Sequence, residues 1–121
     1  GIKSANGDIT VKLYNAAKTD KNDIITEIFR SKYLLVGSST INNGLLFSIS
    51  GLLEMIKGLK FKGKKAAAFG SYGWSGEAVK QITSELEKGG FEIINEGIKT
   101  LWMPDNDALK KCYEYGRGLK L

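Results

Sequence analysis

The segment Lys65-Ala66-Ala67-Ala68-Phe69-Gly70-Ser71-Tyr72-Gly73-Trp74-Ser75-Gly76-Glu77-Ala78 decides how this chain folds. Its first five residues read as a strand buried on both faces. Three successive alanines make that strand narrow, so helices can sit close to the sheet. From Gly70 to Gly76 the composition turns to glycine, hydroxyl and aromatic. Ala78, Val79, Ile82 and Leu86 then recur at helical spacing, and Gly89-Gly90 supplies a glycine C-cap. A buried strand that feeds an amphipathic helix through a short loop belongs to a chain of alternating strands and helices, and such a chain builds a parallel sheet.

The same alternation extends to both sides of this segment. Upstream, Tyr33 to Val36 is an unbroken apolar run, as in a strand covered on both faces. Gly37 and a polar loop follow. A helix is then predicted from about Leu45 to Lys57, burying Leu45, Ile49, Leu52, Leu53 and Ile56. Nearer the start, Ile9, Val11 and Leu13 alternate with Thr10, Lys12 and Tyr14, which predicts a half-exposed edge strand. Thr19 and Asp20 offer caps for a helix with Ile24, Ile25, Ile28 and Phe29 on one face. Downstream, Phe91 to Ile94 and Ile98 to Trp102 read as two halves of one bent strand. Pro104 suits the first turn of a last helix, with Asp105 and Asp107 at its positive end. That helix carries Leu109, Cys112, Tyr113 and Leu119. The reading is one α/β domain over residues 1–121 with a doubly wound parallel sheet.

Composition narrows the chemistry. With 121 residues the chain fits one domain able to bury a core without staples. The single cysteine, Cys112, allows no internal disulfide and falls in a helical pattern, so a packed thiol in a reduced, cytoplasmic compartment is expected. The sequence contains no histidine. That excludes Ser-His and Cys-His catalytic pairs and removes the commonest transition-metal ligand. The apolar segments are too short for a membrane span, and no leader pattern opens the sequence, so a soluble protein is expected. The net charge of +5 is spread over Lys57, Lys60, Lys62, Lys64, Lys65, Lys110, Lys111, Arg117 and Lys120. Those charges suit solvated helix ends, or alternatively a basic face for an acidic partner. No basic helix or aromatic RNA-binding signature points to nucleic acid.

In an open parallel sheet, ligands bind beyond the C-terminal ends of the strands, near the point where strand order reverses. Two loops follow buried strands directly: Ser38-Ser39-Thr40-Ile41-Asn42-Asn43-Gly44 and Ser71-Tyr72-Gly73-Trp74-Ser75-Gly76. Both have the composition of a clamp for a flat ligand. Hydroxyls and amides can bond heteroatoms, and Tyr72 and Trp74 offer aromatic faces. The first loop, read alone, is also an ordinary connection with an Asn-Asn-Gly turn. A loop tryptophan serves core or interface as readily as a ligand. Glu77 complements the first turn of its helix.

These loops, in this order and spacing, resemble the flavodiiron proteins, also called A-type flavoproteins. Val36 to Gly44 looks like that family's second loop for flavin mononucleotide (FMN), and Ala67 to Ala78 looks like its third. Asp20 to Glu27 is similar to its second helix. The resemblance covers essentially the whole chain and implies a C-terminal flavodoxin-like FMN-binding domain. It implies that Ser38, Ser39, Thr40, Ile41, Asn42, Asn43 and Gly44 border the dimethylbenzene and pyrimidine parts of the ring. Thr40 and Asn42 would be the polar contacts there. It implies that Ser71, Tyr72, Gly73, Trp74, Ser75 and Gly76 serve the carbonyl and N5 edge, with Tyr72 or Trp74 over a ring face. Ser39 stands where the family usually has proline.

The family's first strand and phosphate loop are not among these residues, so its strand order 2-1-3-4-5 would lack strand 1. The flanking strands would then need the Ile9–Leu13 strand to slide in, a second copy to donate a strand in a homodimer, or a segment outside the ordered part. The family relays electrons from a small redox protein, such as a rubredoxin, through FMN to a diiron site that reduces oxygen or nitric oxide. Without histidine this chain cannot build that site, so no complete catalytic site is expected within it. The alternative is a flavodoxin-like fragment or interaction module that retains no flavin.

Overall fold

Ala66, Ala67 and Ala68 lie at the centre of the molecule, each no more than 1% exposed. The computed structural model describes residues 1–121. In chain order the elements are α1 (Ile2–Ala5), α2 (Lys21–Arg30), β1 (Tyr33–Ile41), β2 (Gly44–Leu45), α3 (Phe47–Leu59), β3 (Lys65–Tyr72), α4 (Ala78–Lys88), β4 (Glu92–Ile93), β5 (Ile98–Leu101) and α5 (Asn106–Gly118). The alanines belong to β3, the central strand. β1 runs parallel to it from the pair Tyr33–Lys65 to the pair Ser39–Ser71. On its other edge β4 pairs at Lys65 and Ala66, and β5 pairs from Phe69 to Tyr72, both parallel.

β4 and β5 therefore occupy successive stretches of one edge, the two halves of a bent strand read from the sequence. At the bend, Asn95 Oδ1 accepts from the Gly97 N–H at 2.9 Å and from the Tyr115 hydroxyl at 2.6 Å. Gly97 has a φ of +82°, and a Cβ there would come within 2.6 Å of the Ala68 carbonyl oxygen, so the close approach requires glycine.

α2, α3 and α4 share the core on one face of the sheet. Ile24, Ile28, Leu52, Leu53, Ile56, Val79, Ile82 and Leu86 close over Val36, Ala66 and Ala68. Phe61 and Phe91 extend this core, with ring centroids 5.3 Å apart. Asp20 Oδ1 accepts from the Asn22 N–H at 2.7 Å and starts α2. Asp105 Oδ1 accepts from the Ala108 N–H at 2.8 Å and starts α5. Pro104 thus precedes the cap instead of sitting in the first turn.

Further sequence expectations are corrected. Residues Ile9 to Leu13 form no strand. A strand exists through its ladder, and this segment neither pairs nor slides in beside β1. It is held to α2 through a Lys12–Glu27 ion pair, with Leu13 91% exposed. β1 consequently has no ladder partner on its outer side from Tyr33 to Ser39, where only Thr40 and Ile41 pair with β2.

The polar stretch after Gly37 is a hairpin, not a loop. Ser38 to Ile41 continue β1, Asn42 and Asn43 turn with φ of +49° and +58°, and Gly44–Leu45 return as β2. Two successive left-handed residues are what a tight two-residue hairpin requires, and Asn tolerates them. α3 accordingly starts at Phe47 instead of about Leu45.

Phe29 is exposed on α2, its ring 4.8 Å from that of Phe61. α5 buries no residue, and Leu109 and Tyr113 are exposed. Its neighbours are the four-residue α1 and the four-residue β5, too little surface to cover a thirteen-residue helix.

Candidate functional site

β1 and β3 run in register as far as Ser39 and Ser71, and a cleft opens where that pairing stops. The cleft has a volume of about 250 Å³ and is lined by Ser39, Thr40, Ser71, Tyr72, Gly73, Trp102 and Met103. It lies at the C-terminal ends of β1, β3 and β5, where an open parallel sheet presents ligands. Ser39 Oγ and Ser71 Oγ are 2.9 Å apart and share a hydrogen bond. Either hydroxyl is free to rotate toward a ligand.

The hairpin side of the cleft is braced against α4. Thr40 Oγ1 accepts from the Ala78 N–H at 3.3 Å. The Asn43 carbonyl accepts from Gln81 Nε2 at 2.8 Å. Ser75 Oγ lies 2.6 Å from the Glu77 carboxylate and 3.1 Å from the Asn43 side-chain oxygen, which joins the two loops. Ser38 is buried, and its hydroxyl bonds the Leu46 N–H and the Ser39 carbonyl. On the far side, Lys99 Nζ sits 5.1 Å from the Tyr72 ring centroid and donates to the Gly76 carbonyl at 3.3 Å. No charged side chain lines the cleft itself.

Of the residues expected at the site, Ser39, Thr40, Ser71, Tyr72 and Gly73 come together as its walls. Ser38, Asn43, Ser75 and Gly76 brace those walls from behind, and Gly44 is half-buried in β2. Ile41 and Asn42 are exposed at the hairpin tip, and Trp74 is 95% exposed outside the cleft. Sequence reasoning missed Trp102 and Met103. The available signal was the bent strand: its end faces the same crevice, because Leu101 pairs with Tyr72.

A mostly parallel sheet layered with helices, with a neutral cleft at its strand ends, defines a doubly wound α/β protein. The chain belongs to the flavodoxin family, whose model matches residues 2–116. Among curated proteins it is similar to the anaerobic nitric oxide reductase flavorubredoxin of Aeromonas hydrophila, 50% identical over 98% of this chain and 24% of that protein. It is 49% identical to that of Escherichia coli K12 over 97% of this chain and 24% of that protein. The chain thus spans about a quarter of the length of these relatives.

Among solved structures it resembles a rubredoxin oxygen:oxidoreductase from Desulfovibrio gigas. The TM-score is 0.87 at 32% identity, covering 96% of this chain and 29% of that one. The flavodiiron core of Flv1 from Synechocystis gives 0.84 at 28% identity, covering 96% of this chain and 28% of that one. An archaeal flavodoxin gives 0.79 at 27% identity, covering 96% of this chain and 78% of that one. No helix is long and apolar enough to cross a membrane.

Proposed function

We propose that this chain holds the isoalloxazine ring of FMN in the cleft between the hairpin and the Ser71–Gly76 loop. In this reading it is the electron-relay domain of a flavodiiron-type oxidoreductase. The observation that carries the reading is the convergence of Ser39, Thr40, Ser71 and Tyr72 on one neutral cleft at the strand ends. A flat heteroaromatic ring with polar edges suits hydroxyl and backbone walls of this kind. Bound FMN supplies the electron chemistry, and the protein tunes it by packing and hydrogen bonds. Ser71 to Gly73 would serve the ring's carbonyl edge, and Ser39 and Thr40 the opposite side. Similarity to a nitric oxide reductase flavorubredoxin, a rubredoxin oxygen:oxidoreductase and a flavodiiron core supports a rubredoxin as donor and a diiron centre elsewhere in the protein, with oxygen or nitric oxide as acceptor. The net charge of +5 suits an acidic donor.

The phosphate fits less well than the ring. A phosphate seeks cations or free amides at a helix N-terminus. No Lys or Arg lines the cleft, and the first amide of α4, that of Ala78, already bonds Thr40. That observation favours the second reading, a flavodoxin-like module that retains no flavin.

Titration with riboflavin and with FMN, followed by quenching of flavin fluorescence, separates the two. The ring reading expects both to bind, with affinities within roughly tenfold of each other, since charge-assisted phosphate bonds of about 1.5–3 kcal/mol each are not on offer. Quenching of neither flavin at millimolar protein would overturn it.

A further inference from the structure

We propose that Trp102 is a flavin-binding residue whose indole forms the aromatic wall of the cleft and stacks on the isoalloxazine. The proposal rests on the cleft being a flavin site, as argued above. Three observations place this residue, and none depends on its being in the loop that the sequence singles out. First, Trp102 follows β5 directly, and its N–H donates to the Tyr72 carbonyl at 2.7 Å, so its backbone is fixed at the level of the cleft. Second, it has a φ of +51°, a left-handed conformation that is an outlier for a bulky side chain. Strained backbone of this kind collects at ligand sites. Third, the six-membered edge of the indole lies against Gly73. A Cβ at Gly73 would come within 2.8 Å of both Cη2 and Cζ3 of the indole, so only glycine admits the ring there.

The strain does not serve the core. Trp102 is 70% exposed and takes no part in the buried cluster, yet its ring is one of the walls of the cleft. Trp74, the tryptophan inside the Ser71–Gly76 loop, is 95% exposed and is not among the residues that line this cleft. An electron-rich indole held at the edge of a neutral slot is suited to offset stacking on an electron-poor ring, and tryptophan adds area at little cost in side-chain entropy. Gly73 and Trp102 thus act as a pair, the glycine making room for the indole and the indole facing the slot.

The test uses riboflavin as probe, because it carries the ring without the phosphate. Dissociation constants come from flavin fluorescence, and stacking from the induced visible circular dichroism of the bound ring. Trp102→Ala should weaken binding roughly two- to twelvefold, as expected for loss of an aromatic partner, and should diminish the induced signal. Trp102→Phe should recover most of both, which loss of a merely structural contact would not give. If the parent binds riboflavin and Trp102→Ala binds it equally well with the same induced signal, Trp102 is not the wall. If the parent binds neither riboflavin nor FMN, the flavin reading falls and this assignment falls with it.

Discussion

Ser38 shows how one step along a strand separates support from contact. It is 5% exposed, accepts from the Leu46 N–H at 3.1 Å and donates to the Ser39 carbonyl at 2.8 Å. Ser39, one residue on, is exposed and meets Ser71 across the cleft. Side chains alternate between faces of a strand, so the two serines have different tasks despite identical chemistry. Sequence composition identifies the polar stretch but not this parity, because parity depends on β1 continuing to Ile41. The same limit explains Trp74 and Trp102: the aromatic character of the region was legible, the direction of each ring was not. Ser38→Ala would remove the side-chain acceptor of the part-buried Leu46 amide, a bond worth about 0.5–1.5 kcal/mol. The urea midpoint should fall by that free energy divided by the slope, with the slope unchanged. An unchanged midpoint would mean that solvent reaches this amide.

Among the elements, α4 was fully legible. Ala78, Val79, Ile82 and Leu86 are all buried, as their helical spacing predicts. Ile49, Leu52, Leu53 and Ile56 of α3 are buried likewise. Local periodicity suffices when a sheet of small residues lies underneath. It fails for α5, whose apolar face has little to cover it, and for Ile9–Leu13, since a ladder needs a partner that no local pattern supplies.

That Ile9–Leu13 segment depends instead on the Lys12–Glu27 pair. A hydrogen bond from Lys12 holds the Glu27 carboxyl below its ordinary value of 4.5, and the same bond raises Lys12 above 10.5. Glu27 is thus the group with the depressed folded-state value, so its contribution is complete above pH 4.5 and is lost as the pH falls through that lower value. Lys12, with the raised value, contributes fully below 10.5 and loses its share as the pH rises beyond its folded-state value. Between these limits the tether is constant. Both groups are solvent-accessible, so acidification should free the segment while barely moving the global unfolding midpoint. Limited proteolysis between Ile9 and Tyr14 should accelerate as the pH falls through the lowered Glu27 value, and Glu27→Gln should show that faster cleavage already at pH 7. Equal cleavage rates for parent and variant at pH 7 would show that the pair does not restrain the segment.

At the scale of the whole molecule, the two faces of the sheet are unequal. α2, α3 and α4 bury one face. On the other, the Phe69 ring lies over Gly37 and is 42% exposed, while α1 and α5 pack on each other without burying a residue of their own. The parallel pairing of β1 and β3 was legible in the alternation of strands and helices, whereas the strand order came only from the family resemblance. The imbalance was not legible, because it depends on what β1 lacks on its outer side.

That free side gives the strand an isotopic rhythm. The Lys65 N–H bonds the Lys32 carbonyl, so the even-numbered residues of β1 turn their amides toward β3 and the odd-numbered ones turn theirs outward. In deuterated buffer, the amides of Leu34 and Val36 should exchange slowly, at rates set by opening of the core. Those of Tyr33, Leu35 and Gly37 should fill with deuterium early, as unbonded groups do. Read residue by residue in a nuclear magnetic resonance spectrum, the strand would alternate bright and dark with a period of two. Uniform protection along Tyr33 to Ser39 would reveal that in solution something has come to lie beside it.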